Sequence, residues 1–363
     1  MASSEGSSLP SLDGQGANSG SYFMKYFKKK KQGPGNIGTG EKGDDSSTSP
    51  GKYPYLSEKE CNFSVGVAED RNKKCRRTME DAHTVIYNFD HCPDTGYFAV
   101  FDGHAGHATA EWCSKKMHGF VESWMGKCQQ KQLETGKPFS VSHALSSAFT
   151  EADGHIGKLG LQNSGCTAAV AVLRWETLAP DDSNRSESQA STSRSTSSSP
   201  VKSSSSELSL QSSSSSSPRR RVLYVANVGD TRVILCRGGE ALRLTYDHKG
   251  SDSHESRRII NQGGIMMNNR VNGVLAVTRS LGDSYMKDLV IGAPYTTETE
   301  LEAQDEFIIV ACDGLWDVCD DNTAVQLIRD EPDPARASQM LVDHALENFS
   351  SDNLTCMVIR LGS

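Results

Sequence analysis

Acidic residues recur in this chain where a short apolar run stops. Asp102 follows Tyr97-Phe98-Ala99-Val100-Phe101, and Asp313 follows Phe307-Ile308-Ile309-Val310-Ala311-Cys312. Asp230 closes Val225-Ala226-Asn227-Val228-Gly229, Asp352 precedes the last apolar run, Leu354 to Ile359, and Glu80-Asp81 form a pair with no glycine beside them. Runs of this length read as buried strands. Strand ends from distant parts of a chain can converge at one edge of a sheet, where carboxylates repel one another and are costly to bury unpaired. Hard divalent cations such as Mg²⁺ and Mn²⁺ take oxygen ligands and remove that cost, so the pattern points to a metal site built from several strands. Each Asp taken singly also suits a turn, because Asp-Gly is a strong hairpin signal. Three features favour the metal site: the near-continuous runs before Asp102 and Asp313, the glycine-free Glu80-Asp81 pair, and His104 in a glycine-flanked segment two residues after Asp102.

The 363 residues carry a net charge of −8. That length fits one large domain with tails, and the acidic balance gives no support for nucleic-acid binding. No stretch reaches the roughly 18 apolar residues of a membrane helix, so no stable membrane insertion is expected. The start, Met1-Ala2-Ser3-Ser4-Glu5, lacks the apolar stretch of a signal peptide, and Ala2 argues against N-myristoylation. The cysteines show no Cys-x-x-Cys spacing. Cys113, Cys166, Cys236, Cys312 and Cys356 lie in or beside apolar or helical segments and read as reduced, buried residues of an intracellular protein.

Residues 1–58, rich in Gly, Ser, Lys and Pro, are expected to be a disordered tail. Within it, Tyr22 to Phe27 followed by Lys28 to Lys31 reads as a solvated segment, with contact to an anionic membrane or nuclear import as alternatives. Half of residues 181–220 are Ser. This tract reads as a disordered insert at about 177–220 between two consecutive strands, so that residues 59–363 form one domain. Ala108, Trp112, Phe120, Val121 and Trp124 fall near one helical face, as do Ala144, Leu145, Ala148, Phe149, Ala152 and Ile156 over 141–158. Residues 222–247 read as strands turning at Arg237-Gly238-Gly239. Residues 251–262 read as a helix ended by Gly263-Gly264, and 334–348 as another amphipathic helix. Few segments have tight strand–helix–strand spacing, which predicts an α+β fold of packed antiparallel sheets with helices outside. Neither a Walker A sequence nor a dinucleotide fingerprint is present.

Two hard metal ions roughly 3.5–4 Å apart can activate a shared water and clamp a phosphate. A nearby His can then protonate the leaving alkoxide, and a guanidinium can hold the phosphoryl oxygens. His104, Arg76 and Arg77 could supply these helpers. Taken alone, Arg76 also reads as a surface charge in Lys73-Lys74-Cys75-Arg76-Arg77, and His104 as a polar residue at a helix start.

The motifs in order settle that choice. They are Arg76-Arg77-Thr78-Met79-Glu80-Asp81-Ala82-His83, Phe101-Asp102-Gly103-His104-Ala105-Gly106, Ser164-Gly165-Cys166-Thr167-Ala168 and Ala226-Asn227-Val228-Gly229-Asp230-Thr231-Arg232. Then come Asp247-His248-Lys249, Arg270-Val271-Asn272-Gly273, Leu275 to Asp283, Cys312 to Asp317 and Ser351-Asp352-Asn353. Over about residues 60–363 this set resembles the metal-dependent (PPM, type 2C) protein serine/threonine phosphatases. It is most similar to the fungal members that restrain stress-activated MAP kinase pathways.

The resemblance implies a two-sheet antiparallel β-sandwich flanked by antiparallel helix pairs. It implies that Arg76 binds the substrate phosphate and that His104 is the general acid. Glu80, Asp81, Asp102, Asp313 and Asp352 would hold two Mg²⁺ or Mn²⁺ ions, many through waters, with the Gly103 carbonyl joining directly. Asp230 together with Asp313 would hold a weaker third ion. A flap would follow Asp247-His248-Lys249; many relatives have Pro after that Lys, where this chain has Gly250. The implied activity is hydrolysis of phosphoserine and phosphothreonine on proteins by direct attack of a metal-bridging water. With it go negative regulation of a MAP kinase pathway, phosphorylated pathway components as partners, a monomeric state, and a place in the cytoplasm and nucleus. A catalytically silent scaffold and a phosphatase of small molecules or nucleic acid are the alternatives. The intact acidic set disfavours the first, and the acidic charge disfavours nucleic acid.

Overall fold

Two antiparallel sheets stack face to face, and the residues between them come from the same apolar runs that mark the strands. The computed structural model describes residues 61–136, 140–161, 163–177 and 219–362, all within one compact unit, Tyr53–Ser363. The first half comprises β1 (Phe63–Asp70), β2 (Ala82–Tyr87), β3 (Gly96–His104), α1 (Ala108–Thr135), α2 (Val141–Leu159), β4 (Gly165–Thr177) and β5 (Arg219–Val228). Then come β6 (Arg232–Arg237), β7 (Glu240–Arg243), α3 (Ser253–Asn261), the short strands β8 (Met266–Met267), β9 (Arg270–Val271) and β10 (Leu281–Gly282), and β11 (Tyr295–Glu300). The chain closes with β12 (Asp305–Ala311), α4 (Asp313–Trp316), α5 (Asp321–Ile328), α6 (Pro334–Glu347) and β13 (Leu354–Leu361). One sheet runs β1-β13-β12-β6-β7, the other β11-β5-β4-β3-β2 with β10 added on β4.

The near-continuous apolar runs have a structural cause. In β3, Phe98 and Val100 point into the layer between the sheets, against Ile308, Val310 and Met357 of the facing sheet. The alternate residues Tyr97, Ala99 and Phe101 point outward, where α1 and α2 cover them with Met117, Val121, Leu145 and Phe149. Ile309 of β12 and Val358 of β13 are covered in the same way by Val325, Ile328, Leu341 and Val342 of α5 and α6. The central strands are therefore buried on both faces and need no polar alternation. This four-layer arrangement is the α+β sandwich with helices outside that the sequence predicts.

Local chemistry sets the ends of these elements. Ser140, Asp252 and Asp333 cap α2, α3 and α6 with side-chain oxygens that accept backbone N–H groups, and Pro334 opens α6. Gly238 and Gly239 take positive φ values of 59° and 83°, which a two-residue hairpin between β6 and β7 requires. The expected tail at 1–58 lies outside the described residues, as does nearly all of the Ser-rich insert. At the insert's edges, Thr177 and Arg219 pair with each other as the last rung of the β4–β5 ladder.

Candidate active site

The antiparallel pairing brings the acids together. The C-terminal ends of β3 and β5 and the N-terminal end of β2 share one edge of their sheet. The C-terminal end of β12 and the N-terminal end of β13 share one edge of the other. Asp102 stands near the end of β3, Glu80-Asp81 just before β2, Asp230 just past β5, Asp313 just past β12 and Asp352 just before β13. The mutual influence of the five aspartates places them at a common site. Burial raises the carboxyl pKa of Asp102 far above the usual range, and the charges of Asp313, Asp81, Asp230 and Asp352 raise it further. Asp313 is raised by burial and then by Asp230, Asp317 and Asp352. Asp81 is pushed up to about 6 by burial, even though Thr355 Oγ1 donates to it at 2.8 Å.

The other predicted residues form the rim. The Glu80 carboxylate accepts from Thr78 Oγ1 and from the Gly106 amide, both at 3.0 Å. Gly103 is pressed against that segment, for a Cβ there would lie 2.3 Å from the Glu80 carbonyl oxygen. The half-exposed side chain of Arg76 donates from Nε to the Ser351 carbonyl at 3.1 Å and from Nη2 to Asp352. His104 Nε2 lies 2.7 Å from Oδ2 of Asp283. Asp230 is buried, with one oxygen 3.4 Å from Lys249 Nζ and the other, Oδ1, without a partner among the described residues. Lys249 also reaches Asp317 at 2.7 Å.

This set suits hard cations by residue type. Every donor is an oxygen, several buried carboxylates carry mutual repulsion, and the Asp230 Oδ1 atom has no partner among the described residues. Among the described residues no group of three or more His, Cys, Asp or Glu is arranged to hold an ion directly. The acid oxygens are instead engaged with Thr355, Thr78, the Gly106 amide and Arg76.

Several residues of the site had no assigned role in the sequence. Asn353 clamps the loop that carries Arg76: its Nδ2 donates to the carbonyls of Arg71 and Thr78 at 2.9 and 3.0 Å, and its Oδ1 accepts the Glu80 amide at 2.8 Å. Lys249, Asp317 and Asp283 are likewise additions. All four lie inside motifs quoted from the sequence, which was the available signal. The flap after Lys249 holds the β8–β9 hairpin, and Gly250 is built into it. Its amide donates to the Ala276 carbonyl at 2.9 Å, and a Cβ would lie 1.9 Å from the Asn269 carbonyl oxygen. A Pro at this position would remove that hydrogen bond.

Comparison with known proteins identifies the family and the fold. Residues 65–180 and 176–354 match the family described as Protein phosphatase 2C. Protein phosphatase 2C homolog 1 of Saccharomyces cerevisiae is 45% identical over 299 residues, covering 82% of this chain and 94% of the relative. The Schizosaccharomyces pombe protein of the same name is 41% identical over 305 residues, covering 84% and 74%. Among solved structures, a serine-threonine phosphatase 2C from Toxoplasma gondii shares the fold, with a TM-score of 0.59 at 20% identity over 82% of this chain and 94% of that one.

Proposed function

The chain belongs to the protein phosphatase 2C family and is a metal-dependent protein serine/threonine phosphatase; from that premise we propose how its acidic edge works and on what. Water attacks the phosphorus of phosphoserine or phosphothreonine directly, with no phosphoenzyme. The observation that carries this reading is the convergence of buried carboxylates from both sheets on one edge, with Arg76 and His104 at its rim.

Glu80, Asp81, Asp102, the Gly103 carbonyl, Asp313 and Asp352 would hold two divalent ions, Mg²⁺ or Mn²⁺, and Asp230 with Asp313 a weaker third. Such ions supply Lewis acidity toward phosphoryl oxygens and lower the pKa of water. Arg76 exchanges its contact with Asp352 for the phosphoryl oxygens, which its planar fork matches. His104 gives a proton to the departing Ser or Thr oxygen. On this reading the substrates are phosphorylated components of a stress-activated MAP kinase pathway, which a monomeric enzyme restrains in the cytoplasm and nucleus. The likeness to the two fungal relatives supports the phosphatase activity; the pathway rests on the resemblance of the motif set alone.

Chelation should abolish hydrolysis of a phosphothreonine peptide, and Mg²⁺ or Mn²⁺ should restore it. Ca²⁺ should restore little, since it is larger and favours more ligands. Full activity in excess chelator would remove the metals from the mechanism. With Asp102→Asn as a trap in cell extract, phosphorylated MAP kinase components should be retained. Retention of unrelated phosphoproteins alone would move the pathway assignment elsewhere.

A further inference from the structure

His104 does not stand alone at the end of β3. The carboxylate 2.7 Å from its Nε2 belongs to Asp283, a residue 0% exposed and 179 positions further along the chain. Ser280 Oγ donates to the same Asp283 oxygen at 2.5 Å, while Oδ1 is buried without a partner among the described residues. The ion pairs found among the described residues give Asp283 no Lys or Arg; His104 is its one basic partner. A buried carboxylate is costly unless it is paired, and the partners of Asp283 are His104, Ser280 and Tyr285.

The surroundings are shaped around this contact. β10 pairs Gly282 with Gly165 of β4, and β3 pairs His104 with the same Gly165. The two ladders thus carry His104 and Asp283 to Gly165 from either side. A Cβ on Gly165 would lie 2.1 Å from Asp283 Oδ2 and 2.4 Å from His104 Nε2. Asp283 itself takes a φ of 46°, in the left-handed region, which Asp enters more readily than most side chains. Those surroundings reach to α2, where Asp153 accepts the Gly282 amide at 2.9 Å and pairs with Lys287 at 3.0 Å.

We propose that Asp283 is the positioning residue of His104. By accepting from Nε2 it fixes the ring and reserves Nδ1 for the substrate oxygen. This rests on the general-acid reading of His104. In the step served, the bond from phosphorus to the Ser or Thr oxygen breaks and the Nδ1 proton passes to that oxygen. The ring is left neutral, with its Nε2 proton still shared with Asp283.

The test compares the full chain, saturated with Mn²⁺, on a phosphothreonine peptide and on p-nitrophenyl phosphate, whose leaving group departs without a proton. In Asp283→Asn, kcat on the peptide should fall about 10- to 100-fold with KM little changed. The ratio of peptide to aryl turnover should drop by about tenfold or more. The double variant with His104→Gln should be no worse than His104→Gln alone, because residues acting as a unit are not additive. Ser280→Ala, which removes the second donor to Oδ2, should move the ratio the same way by less, and it decides the matter if Asp283→Asn does not fold. Equal losses on both substrates, or losses that multiply in the double variant, would overturn the proposal. A wild-type chain without metal-dependent activity on the peptide would strike instead at the phosphatase mechanism. An unchanged ratio in His104→Gln would strike at the general-acid role.

Discussion

At the scale of single residues, Gly103 sets a tight constraint on the acidic edge. Only a residue without a side chain lets the strand bearing Asp102 approach the Glu80 carbonyl so closely. The acids around it do different work from Arg76, and variants should separate them. Asp102→Asn keeps the shape but removes a charge from the proposed metal site, so turnover should be almost lost and metal affinity should weaken in a titration. Arg76→Ala should raise KM for a phosphopeptide about 10- to 100-fold with a smaller change in kcat, since a charged hydrogen bond contributes about 1.5–3 kcal/mol. A fall in kcat alone would place Arg76 outside substrate binding. The acids were legible because each stands at the end of an apolar run. The parts played by Asp283 and Asn353 were not, because they are defined by partners 179 and 273 positions away. Local spacing along the chain carries no trace of such contacts.

At the scale of elements, legibility followed burial. Strands covered on both faces, such as β3, β5, β12 and β13, announce themselves as unbroken apolar runs. β11 reads Tyr-Thr-Thr-Glu-Thr-Glu and lies at a sheet edge, so it has no such signal and was not anticipated. The same holds for α4, a single turn of four residues, and for the eight-residue α5. The helix expected over 251–262 runs from Ser253 to Asn261, because Asp252 caps its start and the amides of Gly263 and Gly264 fold back onto the Ile260 and Ile259 carbonyls. In the flap, the exchange of Pro for Gly250 is testable. Gly250→Pro deletes a hydrogen bond and drives atoms into the Asn269 carbonyl, so thermal stability should fall by about 1–3 kcal/mol. The KM for a phosphopeptide should rise more than that for p-nitrophenyl phosphate. An unchanged melting temperature would mean that the flap backbone tolerates either residue.

At the scale of the whole molecule, the acidic edge links stability to metal and to pH. Without cations, Asp81 titrates at about 6 because burial disfavours its charge, whereas an unfolded Asp titrates near ~3.9. Between those values the folded chain holds a proton that the unfolded chain has lost, so this contribution to stability fades as pH rises through 6. A bound cation favours the ionised form and reverses the penalty. The gain in melting temperature from Mn²⁺ over chelator should therefore grow from pH 5 to pH 7.5 in scanning calorimetry. A gain that is constant or shrinks with pH would contradict a carboxylate metal site. The layered sandwich itself was legible as a class from the mixture of apolar runs and amphipathic helices. Which strands neighbour which was not, because β1 and β13 pair across nearly the whole described chain.

That pairing has a consequence for how the chain could be rewired. Phe63 lies opposite Leu361, and the Gly362 amide donates to the Asn62 carbonyl at 2.8 Å. Thr177 and Arg219 lie opposite each other in the same fashion. A short linker could therefore join residue 362 to residue 61 while new ends are opened at Arg219 and Thr177, giving a circular permutant that keeps every ladder and leaves the acidic edge untouched. It should fold and retain metal-dependent turnover close to that of the parent chain. A permutant that folds but is inactive would show that the order in which the strands are made, and not only their final register, is needed to assemble the acids.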